Sequence, residues 1–226
     1  MNYLAIGLVI IIVIILYYIY YYFTNTTLTA GLQNLSIINS TTYEKLTNPI
    51  SYTYSYQCWL YISSPVMGDK PIFYRKDEGG GSSNFSVDIS GQALTVKAGT
   101  GTSPPITIMN VTDGFPIQKW TYLVVNVRNL KIFEAYINGK LVKTVNVTNN
   151  IIPSTKTSTL YIGNTSLQGY ITKFTRTANY LDAKTIWQKY LEGNGLGLSN
   201  ISSLLPYGLN MSISKGEDIQ RVVNIF

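Results

Sequence analysis

The pattern of apolar and polar positions begins with an uninterrupted apolar run. Residues 3–23 contain no charged side chain. A helix of this length, at about 1.5 Å per residue, matches a hydrocarbon core of about 30 Å. Tyrosines at both ends of the run favour the lipid–water interface. The pattern predicts a transmembrane helix over residues 1–23. Its anchoring side chains are Tyr3, Leu4, Ile10, Ile15, Tyr17, Tyr18, Tyr20, Tyr21 and Tyr22.

The alternatives to this anchor are a cleaved signal peptide and a buried core helix. A signal peptide has a basic first region and a small-residue cleavage site. Here no Lys or Arg precedes Lys45, and bulky tyrosines occupy the place where cleavage would fall. We therefore expect a single-pass membrane protein. Its orientation stays open, because the positive-inside rule counts Lys and Arg close to the span and this window holds none.

Residues 24–49 form a nearly uncharged stretch that is rich in Thr, Ser and Asn. This composition is typical of loops and flexible linkers. It predicts a polar spacer that lifts the following domain off the bilayer. The alternative is a first edge strand around Leu35–Ile38.

From Tyr52 onward the apolar pattern repeats every two residues, which indicates β-strands. In the first strand, one face carries Tyr54, Tyr56, Cys58, Leu60 and Ile62, and the other carries Trp59 and Tyr61. Because both faces carry large apolar side chains, this strand is expected to be covered on both sides. Cys58 is then expected to point inward as a small apolar side chain.

Further short strands follow, separated by turns rich in Gly, Ser and Asn. They are expected near Ile72–Arg75, Phe85–Ile89, Ala93–Lys97, Ile106–Asn110, Trp120–Arg128, Lys131–Ile137, Lys140–Val145, Leu160–Ile162 and Tyr170–Phe174. The Asn138-Gly139 step predicts a type I′ hairpin, since both residue types accept a positive φ. About nine or ten short strands at this spacing predict an all-β antiparallel sandwich of the jelly-roll type. Trp59, Trp120 and Tyr136 are expected in its core.

One short helix is expected to close the domain. Asp182 is its expected N-cap, Ala183–Leu191 the helix itself and Gly193 the residue beyond its C-cap. The apolar stripe of this helix consists of Ile186, Trp187, Tyr190 and Leu191. Such a stripe packs against a core, so Trp187 is expected to be a core residue. A surface for a protein partner is the alternative.

The residues after this helix, 194–226, read as a C-terminal extension with two apolar islands. One island adds a strand to the sandwich, or the segment is a docking arm for a neighbouring subunit. The sequence leaves both open.

The amino-acid composition argues against most classes of enzyme for this chain. Hydrophobic residues make up 46% of the chain and charged residues 12%, and histidine is absent. Without histidine, the commonest general base and metal ligand is missing. The single cysteine allows neither an intrachain disulfide nor a cysteine-based zinc site. The net charge of +6 is scattered along the chain, so no nucleic acid partner is expected.

Three blocks of the sequence resemble the laminin-G-like, concanavalin A-type lectin/glucanase jelly roll. They are residues 56–62, residues 119–125 joined to 135–140, and residues 160–163 with 169–171. Residues 179–186 are similar to the family's helix start, with Lys184 where an acid often stands. The resemblance covers about residues 50–193 and implies a jelly-roll domain there.

The resemblance does not carry over the family's catalytic or metal-binding residues. Its glucanases place paired acids on one strand, and retaining hydrolysis requires carboxyl groups about 5–5.5 Å apart. No two glutamates of this chain have that spacing. A calcium site at Asp69, Asp77, Asp88 or Asp113 is the alternative, but loop aspartates usually serve turns. We expect no enzyme activity, no catalytic residue, no metal and no cofactor.

Nine Asn-x-Ser/Thr sequons occur, and those expected within the jelly roll are Asn84, Asn110, Asn146 and Asn164. These asparagines are candidates for glycosylation in a lumenal or extracellular setting.

An anchored jelly roll of this kind looks like the membrane-anchored minor capsid or virion proteins of large nucleocytoplasmic DNA viruses. That resemblance implies a structural protein that links the internal membrane of a virus particle to its shell. Its partners would be the lipid bilayer and other capsid or membrane proteins. The alternative is a membrane-tethered carbohydrate-binding or adhesion module, with glycans as partners.

Overall fold

The computed structural model describes residues 3–24, 26–29, 31–78, 83–101, 104–196, 210–215 and 218–224. Its helices are α1 (Tyr3–Thr24) and α2 (Ala183–Leu191), with a 3₁₀ turn at Tyr43–Lys45. Its strands are β1 (Thr26–Thr29), β2 (Gln33–Asn34), β3 (Asn39–Thr41), β4 (Tyr54–Ile62), β5 (Val66–Asp77), β6 (Ser83–Gly91), β7 (Ala93–Ala98), β8 (Ile106–Thr112), β9 (Thr121–Arg128), β10 (Ile132–Ile137), β11 (Lys140–Asn146), β12 (Ser158–Ile162), β13 (Gly169–Thr177), β14 (Asn210–Lys215) and β15 (Asp218–Asn224).

Two antiparallel sheets form a sandwich. The seven-stranded sheet has the order β1-β13-β4-β9-β10-β11, with β2 also pairing with β13. The six-stranded sheet has the order β3-β12-β5-β6-β7-β8, and β14 pairs with β15 in a separate hairpin. This confirms the predicted all-β antiparallel sandwich with one short helix after its last strand. The expected strands all occur, several of them longer by one to six residues at an end.

The core lies between the two sheets, where alternate residues of each strand point inward. Its centre is an aromatic group made of Tyr56, Phe73, Phe85 and Phe174, with neighbouring ring centroids 4.9–6.3 Å apart. Cys58 is buried beside this group, as the alternation predicted, and burial raises the pKa of its thiol. A protonated, buried thiol acts as a small apolar side chain.

The segment expected to be a polar spacer is part of the sandwich. β1 and β2 extend the seven-stranded sheet and β3 extends the six-stranded one. Leu35 and Leu46 are buried in the core. The alternative strand at Leu35–Ile38 is also wrong, because that segment is the loop between β2 and β3. Strands of two to four residues are too short to show a period of two, so only their pairing with longer strands reveals them.

α1 includes the apolar run, and the described side chains from Leu8 to Tyr17 are all exposed. Within the ranges that the structure describes, no helix has both the length and the apolar character needed to cross a membrane.

Deleting Met1–Thr24 is expected to leave a folded β domain, because the buried residues of both core clusters begin at Leu35. Far-ultraviolet circular dichroism and sedimentation of the truncated chain check this. Aggregation, or loss of the β-sheet signal, would contradict it.

α2 follows the predicted boundaries. The Asp182 carboxylate accepts a hydrogen bond from Thr185 N at 3.0 Å, which caps the helix. Hydrogen bonds from the Thr185 hydroxyl and main chain hold the pKa of Asp182 below its ordinary value. Gly193 follows the C-cap with φ of 70°, the left-handed conformation that glycine favours.

The expected core position of Trp187 is wrong. Ile186 is buried and Tyr190 stacks on Trp59 at 5.7 Å, whereas Trp187 is 41% exposed. The helix is only nine residues long and lies at the edge of the sheet, so its stripe is covered on one side alone. Trp187 instead lies over the type I′ turn, where a Cβ on Gly139 would be 2.7 Å from its ring. Leu191, from the same stripe, is exposed as well.

The remaining expected core aromatics differ in burial. Trp59 and Tyr136 are buried in a second apolar cluster between the seven-stranded sheet and α2. Trp120 packs against that cluster but is only partly buried, because it precedes β9 at the rim of the sheet. The turn between β10 and β11 is of the predicted type, with φ of 51° at Asn138 and 77° at Gly139.

Candidate functional site

The outer face of the seven-stranded sheet is covered where α2 packs on it. Leu181, Ile186 and Tyr190 lie against outward side chains of β4, β9 and β10. Beside them, the Glu134 carboxylate accepts hydrogen bonds from the hydroxyls of Tyr136 and Tyr180, both at 3.0 Å. These contacts hold the segment before α2 on the sheet. The candidate ligand site lies on the outer face of the other sheet, the six-stranded one.

A row of outward side chains crosses four strands of the six-stranded sheet. Tyr161 on β12 is opposite Tyr74 on β5, Tyr74 is opposite Ser86 on β6, and Ser86 is opposite Lys97 on β7. Directly opposite residues in an antiparallel pair have side chains close enough to interact. The register therefore brings two aromatic rings, a hydroxyl and an amine into one line.

The two tyrosines form a stacked platform. The ring centroids of Tyr74 and Tyr161 are 4.9 Å apart, with an interplanar angle of 16°. Both side chains are half-buried. Burial, and then the neighbouring Tyr161, raises the pKa of Tyr74, so its hydroxyl stays protonated at neutral pH.

Next to this platform, Lys97 bridges two carboxylates. Its ammonium group lies 2.9 Å from Asp88 Oδ2 and also bonds Asp69 Oδ2. Burial by itself would lower the pKa of Lys97, but hydrogen bonds with Asp69 and Asp88 and their charges outweigh it, so this pKa is raised. The amine is therefore a fixed positive group within the row.

One carboxylate oxygen of Asp88 lacks a hydrogen-bond donor within the described part of the chain. The residue is 7% exposed, and no donor among the described residues reaches Asp88 Oδ1. Thr95, directly opposite Asp88 on β7, likewise has a buried hydroxyl without a partner among those residues. Leaving a buried polar atom unpaired costs about 1–3 kcal/mol. Such atoms mark a place where a ligand or water supplies the missing hydrogen bond.

These side chains line a cleft of about 270 Å³, which we call the sheet-face cleft. Its lining consists of Pro71, Tyr74, Lys76, Ser83, Ser86, Asp88, Lys97, Pro104 and Pro105. The volume lies just below the range of about 300–1,000 Å³ typical of ligand sites, so it suits a single small ring. Prolines and an aromatic platform supply apolar walls, and one carboxylate, amines and hydroxyls supply directional hydrogen bonds. This set can bind a polar ring.

The other acids considered in the sequence lie apart from the cleft or serve the fold. Asp77 accepts hydrogen bonds from Asn84 and Thr155, and Asp113 accepts one from Asn110. Among the described residues, no three side chains of the types His, Cys, Asp and Glu come together as a metal-binding group. Asp88, weighed in the sequence only as a calcium ligand, is the acid that the fold places in a cleft.

The candidate glycosylation sites differ in access. Asn110 and Asn146 are exposed. Asn84 is half-buried and its amide donates to Asp77 Oδ2 at 2.9 Å, while the Asn164 side chain accepts from Ser166 N at 3.0 Å. Asn110 and Asn146 are thus the more accessible acceptors.

Two buried arginines organise one end of the sandwich. Arg75 donates to Pro49 O at 2.7 Å, and Arg176 donates to Thr47 O at 2.6 Å and to Asn48 O at 3.2 Å. Burial lowers the pKa of Arg176, and the neighbouring Arg75 adds to this effect. Among the described residues, neither guanidinium forms an ion pair with a carboxylate. Main-chain carbonyls, together with the Tyr54 ring 5.4 Å from the Arg176 guanidinium, stabilise these charges, and the hydrogen bonds fix the loop at residues 47–49.

Replacing Arg176 with Met is expected to lower the free energy of unfolding by about 1–3 kcal/mol. The loop carbonyls lose charge-assisted hydrogen bonds, and removal of a buried charge offsets part of that loss. Lys131→Met is the control, because Lys131 is exposed and forms no ion pair among the described residues, so its loss should change stability by less than about 0.5 kcal/mol. Urea denaturation of both variants checks this, and equal effects would contradict it.

Comparison with known proteins places this sandwich in a family. Residues 38–194 match the family model described as the concanavalin A-like lectin/glucanases superfamily. No curated protein matches the chain in sequence.

Solved structures of botulinum neurotoxin binding domains have a similar fold. The serotype D/C binding domain is 21% identical with a TM-score of 0.54, over 69% of this chain and 40% of that one. The structure of botulinum neurotoxin type C, whose cell entry depends on interaction with two ganglioside molecules, is 18% identical with a TM-score of 0.53, over 73% and 45%. The neurotoxin DC binding domain in complex with rat synaptotagmin II is 18% identical with a TM-score of 0.51, also over 73% and 45%. The chain thus matches less than half the length of these relatives, and the similarity shows the fold alone.

Proposed function

Because the chain belongs to the concanavalin A-like lectin/glucanase superfamily, we propose that it is a membrane-tethered recognition module. In this proposal the domain binds its partner through non-covalent contacts and performs no catalysis. The sheet-face cleft binds one sugar ring of a glycan. The observation that carries the proposal is the buried Asp88 oxygen, which no donor of the described residues reaches, beside the stacked Tyr74–Tyr161 platform.

A sugar ring fits both kinds of surface in the cleft. Its C–H face is apolar and stacks on an aromatic ring, while its hydroxyls donate to a carboxylate and accept from an amine. Asp88 and Lys97 offer these two groups side by side. Hydrogen bonds to charged groups contribute about 1.5–3 kcal/mol each. The similar binding domains interact with gangliosides in one case and with rat synaptotagmin II in another, which supports a recognition role without identifying the ligand of this chain.

The membrane tether in this proposal is the N-terminal helix. Its support is the uncharged sequence of residues 3–23, whose length fits a bilayer. Flotation of the full chain with lipid vesicles tests it, because an anchored chain rises with the vesicles and the chain lacking Met1–Thr24 does not.

The second candidate is the structural role in a virus particle, as a minor capsid protein between the internal membrane and the shell. Strand β11 favours it. This edge strand of the seven-stranded sheet is exposed along nearly its whole length, including Leu141 and Val142. Among the described strands it pairs only with β10, so its other edge offers main-chain groups to a neighbouring protein. Mass spectrometry of purified particles tests this role. Stoichiometric presence supports it, and absence counts against it.

The glycan proposal is tested on the full chain in lipid nanodiscs, first on a glycan array and then by calorimetry with the best ligand. We expect Tyr74→Ala to weaken binding by at least about tenfold, equivalent to about 1.4 kcal/mol, and Tyr74→Phe to retain most of it. Asp88→Asn is expected to weaken binding about 10- to 100-fold, through the loss of one charge-assisted hydrogen bond.

The matched control is Asp113→Asn, because Asp113 is exposed and lies outside the cleft. It should bind glycan as the parent chain does. Circular dichroism of every variant separates lost binding from lost folding. Folded Tyr74→Ala and Asp88→Asn variants with unchanged affinity would overturn the assignment of the cleft, and an array without any ligand would overturn glycan binding.

A further inference from the structure

The connection between the N-terminal helix and the first strand of the sandwich is very short. α1 ends at Thr24 and β1 begins at Thr26, with one residue between them. Consecutive Cα atoms are about 3.8 Å apart, so the start of β1 lies within about 8 Å of the end of the helix. The long flexible spacer expected from the sequence is replaced by strands of the sheet. The position of the helix therefore dictates which end of the sandwich lies next to it.

Strand pairing identifies that end. Thr26 is opposite Arg176, close to the end of β13. The loops that meet there are held together by hydrogen bonds from the Ser51 hydroxyl to Ala178 O and from Leu130 N to Tyr52 O. Arg176 itself bonds the loop at residues 47–49. We call this the loop end of the sandwich.

The loop end exposes apolar and aromatic side chains. Ile50 is 41% exposed and Tyr52 is 58% exposed. Both line a groove of about 620 Å³. Ile152 is exposed as well, and the residue after it, Pro153, lines the same groove. Tyrosine and isoleucine are side chains that enter the interfacial region of a bilayer.

The loop end carries a positive excess, because the buried Arg75 and Arg176 add to its exposed charges. Lys45, Lys131 and Lys156 are exposed, and so are Glu44 and Glu78. Zwitterionic headgroups carry no net charge and do not repel such a surface. Contact with lipid is thus carried by the apolar side chains.

We propose that the loop end rests on the lipid headgroup region, with Ile50 and Tyr52 inserted at the interface. This inference rests on the membrane tether of the proposed function and adds the orientation of the domain to it. The buried arginines keep the loop rigid, so its apolar side chains are presented without the entropy cost of ordering it on binding. In this orientation the strands run away from the bilayer, and the outer face of the six-stranded sheet points sideways into solvent.

The opposite end of the sandwich provides the control position. β5 runs from Val66 to Asp77, and Arg75 near its second end bonds Pro49 of the loop end. Met67, beside its first end, is 90% exposed and lies away from the loop end. Native Cys58 is buried, so it does not compete for a thiol-reactive probe.

The experiment uses the full chain in phosphatidylcholine vesicles, with a fluorescent probe on Tyr52→Cys, on Ile50→Cys or on Met67→Cys. Lipids that carry a spin label in the headgroup quench probes at the interface. We expect a large loss of fluorescence at positions 50 and 52. At position 67 the fluorescence should equal that measured in vesicles without spin-labelled lipid. Two loop-end positions guard against a variant that fails to fold.

Vesicle flotation of the same samples separates the possible failures. If the chain floats and the probes at 50 and 52 are not quenched, the orientation is wrong while the tether stands. Stronger quenching at 67 than at 52 would overturn the orientation as well. If the chain does not float, the tether and this inference fail together.

Discussion

Replacing Phe73 with Ala lowers the free energy of unfolding by about 3–5 kcal/mol. Phe73 is buried at the centre of the core, 4.9 Å from the ring of Phe174 and 5.3 Å from that of Tyr56. Alanine would leave a cavity where Phe73 of the six-stranded sheet meets Phe174 and Tyr56 of the seven-stranded sheet. Since total stability is about 5–15 kcal/mol, this one change removes a large share of it.

Chemical denaturation of the detergent-solubilised chain measures this loss. Tyr52→Ala is the control aromatic truncation, because Tyr52 is largely exposed at the loop end and its loss should change stability by less than about 0.5 kcal/mol. If both variants lose the same stability, the two-sheet core described here is wrong.

Replacing Gly163 with Ala is the second change with a large expected effect. Gly163 has φ of +96°, and an added Cβ would lie 2.6 Å from Ile37 O and 2.7 Å from Leu35 O. Both contacts are with main chain, so no side chain can move aside. Backbone strain of about 1–3 kcal/mol adds to steric displacement of about 1–3 kcal/mol, which gives a total of about 2–6 kcal/mol.

Gly114→Ala is the matched control, since nothing lies within 4 Å of its added Cβ. That variant should be unchanged, or more stable by about 0.4–1 kcal/mol through the lower entropy of its unfolded chain. Thermal unfolding of both variants makes the comparison. Because the clash involves residues 35 and 37, an unaffected Gly163→Ala variant would mean that residues 24–49 are a loose spacer after all.

Local patterns predicted the elements whose causes lie within a few residues. The β10–β11 turn follows from Asn138 and Gly139, which accept positive φ wherever the pair occurs. The boundaries of α2 follow from Asp182 and Gly193, which satisfy the helix ends through near neighbours. The inward position of Cys58 follows from alternation along a single strand.

Elements that depend on a distant partner were missed or misplaced. β1, β2 and β3 are short polar strands, and they exist because β13 and β12 offer free edges to pair with. The burial of Arg75 and Arg176 also depends on distant partners. The carbonyls that accept their hydrogen bonds belong to residues 47–49, far away in sequence. Trp187 had the spacing of a core residue, but its burial depends on which part of the sheet the helix covers.

The candidate site shows the same division. Alternation along β5, β6 and β7 separates the residues on the outer face of the sheet from those on the inner face. This pattern by itself favours the outer face for Tyr74, Ser86 and Lys97. Which of them are neighbours depends on the register between strands, and a shift of one residue would turn the row inward. The sequence by itself thus determined an all-β sandwich, its hairpin and its closing helix, because these depend on local periodicity and turn chemistry. Only the tertiary structure decided the cleft around Asp88, the end of the sandwich next to α1 and the burial of each aromatic, because these depend on pairing between residues far apart in the chain.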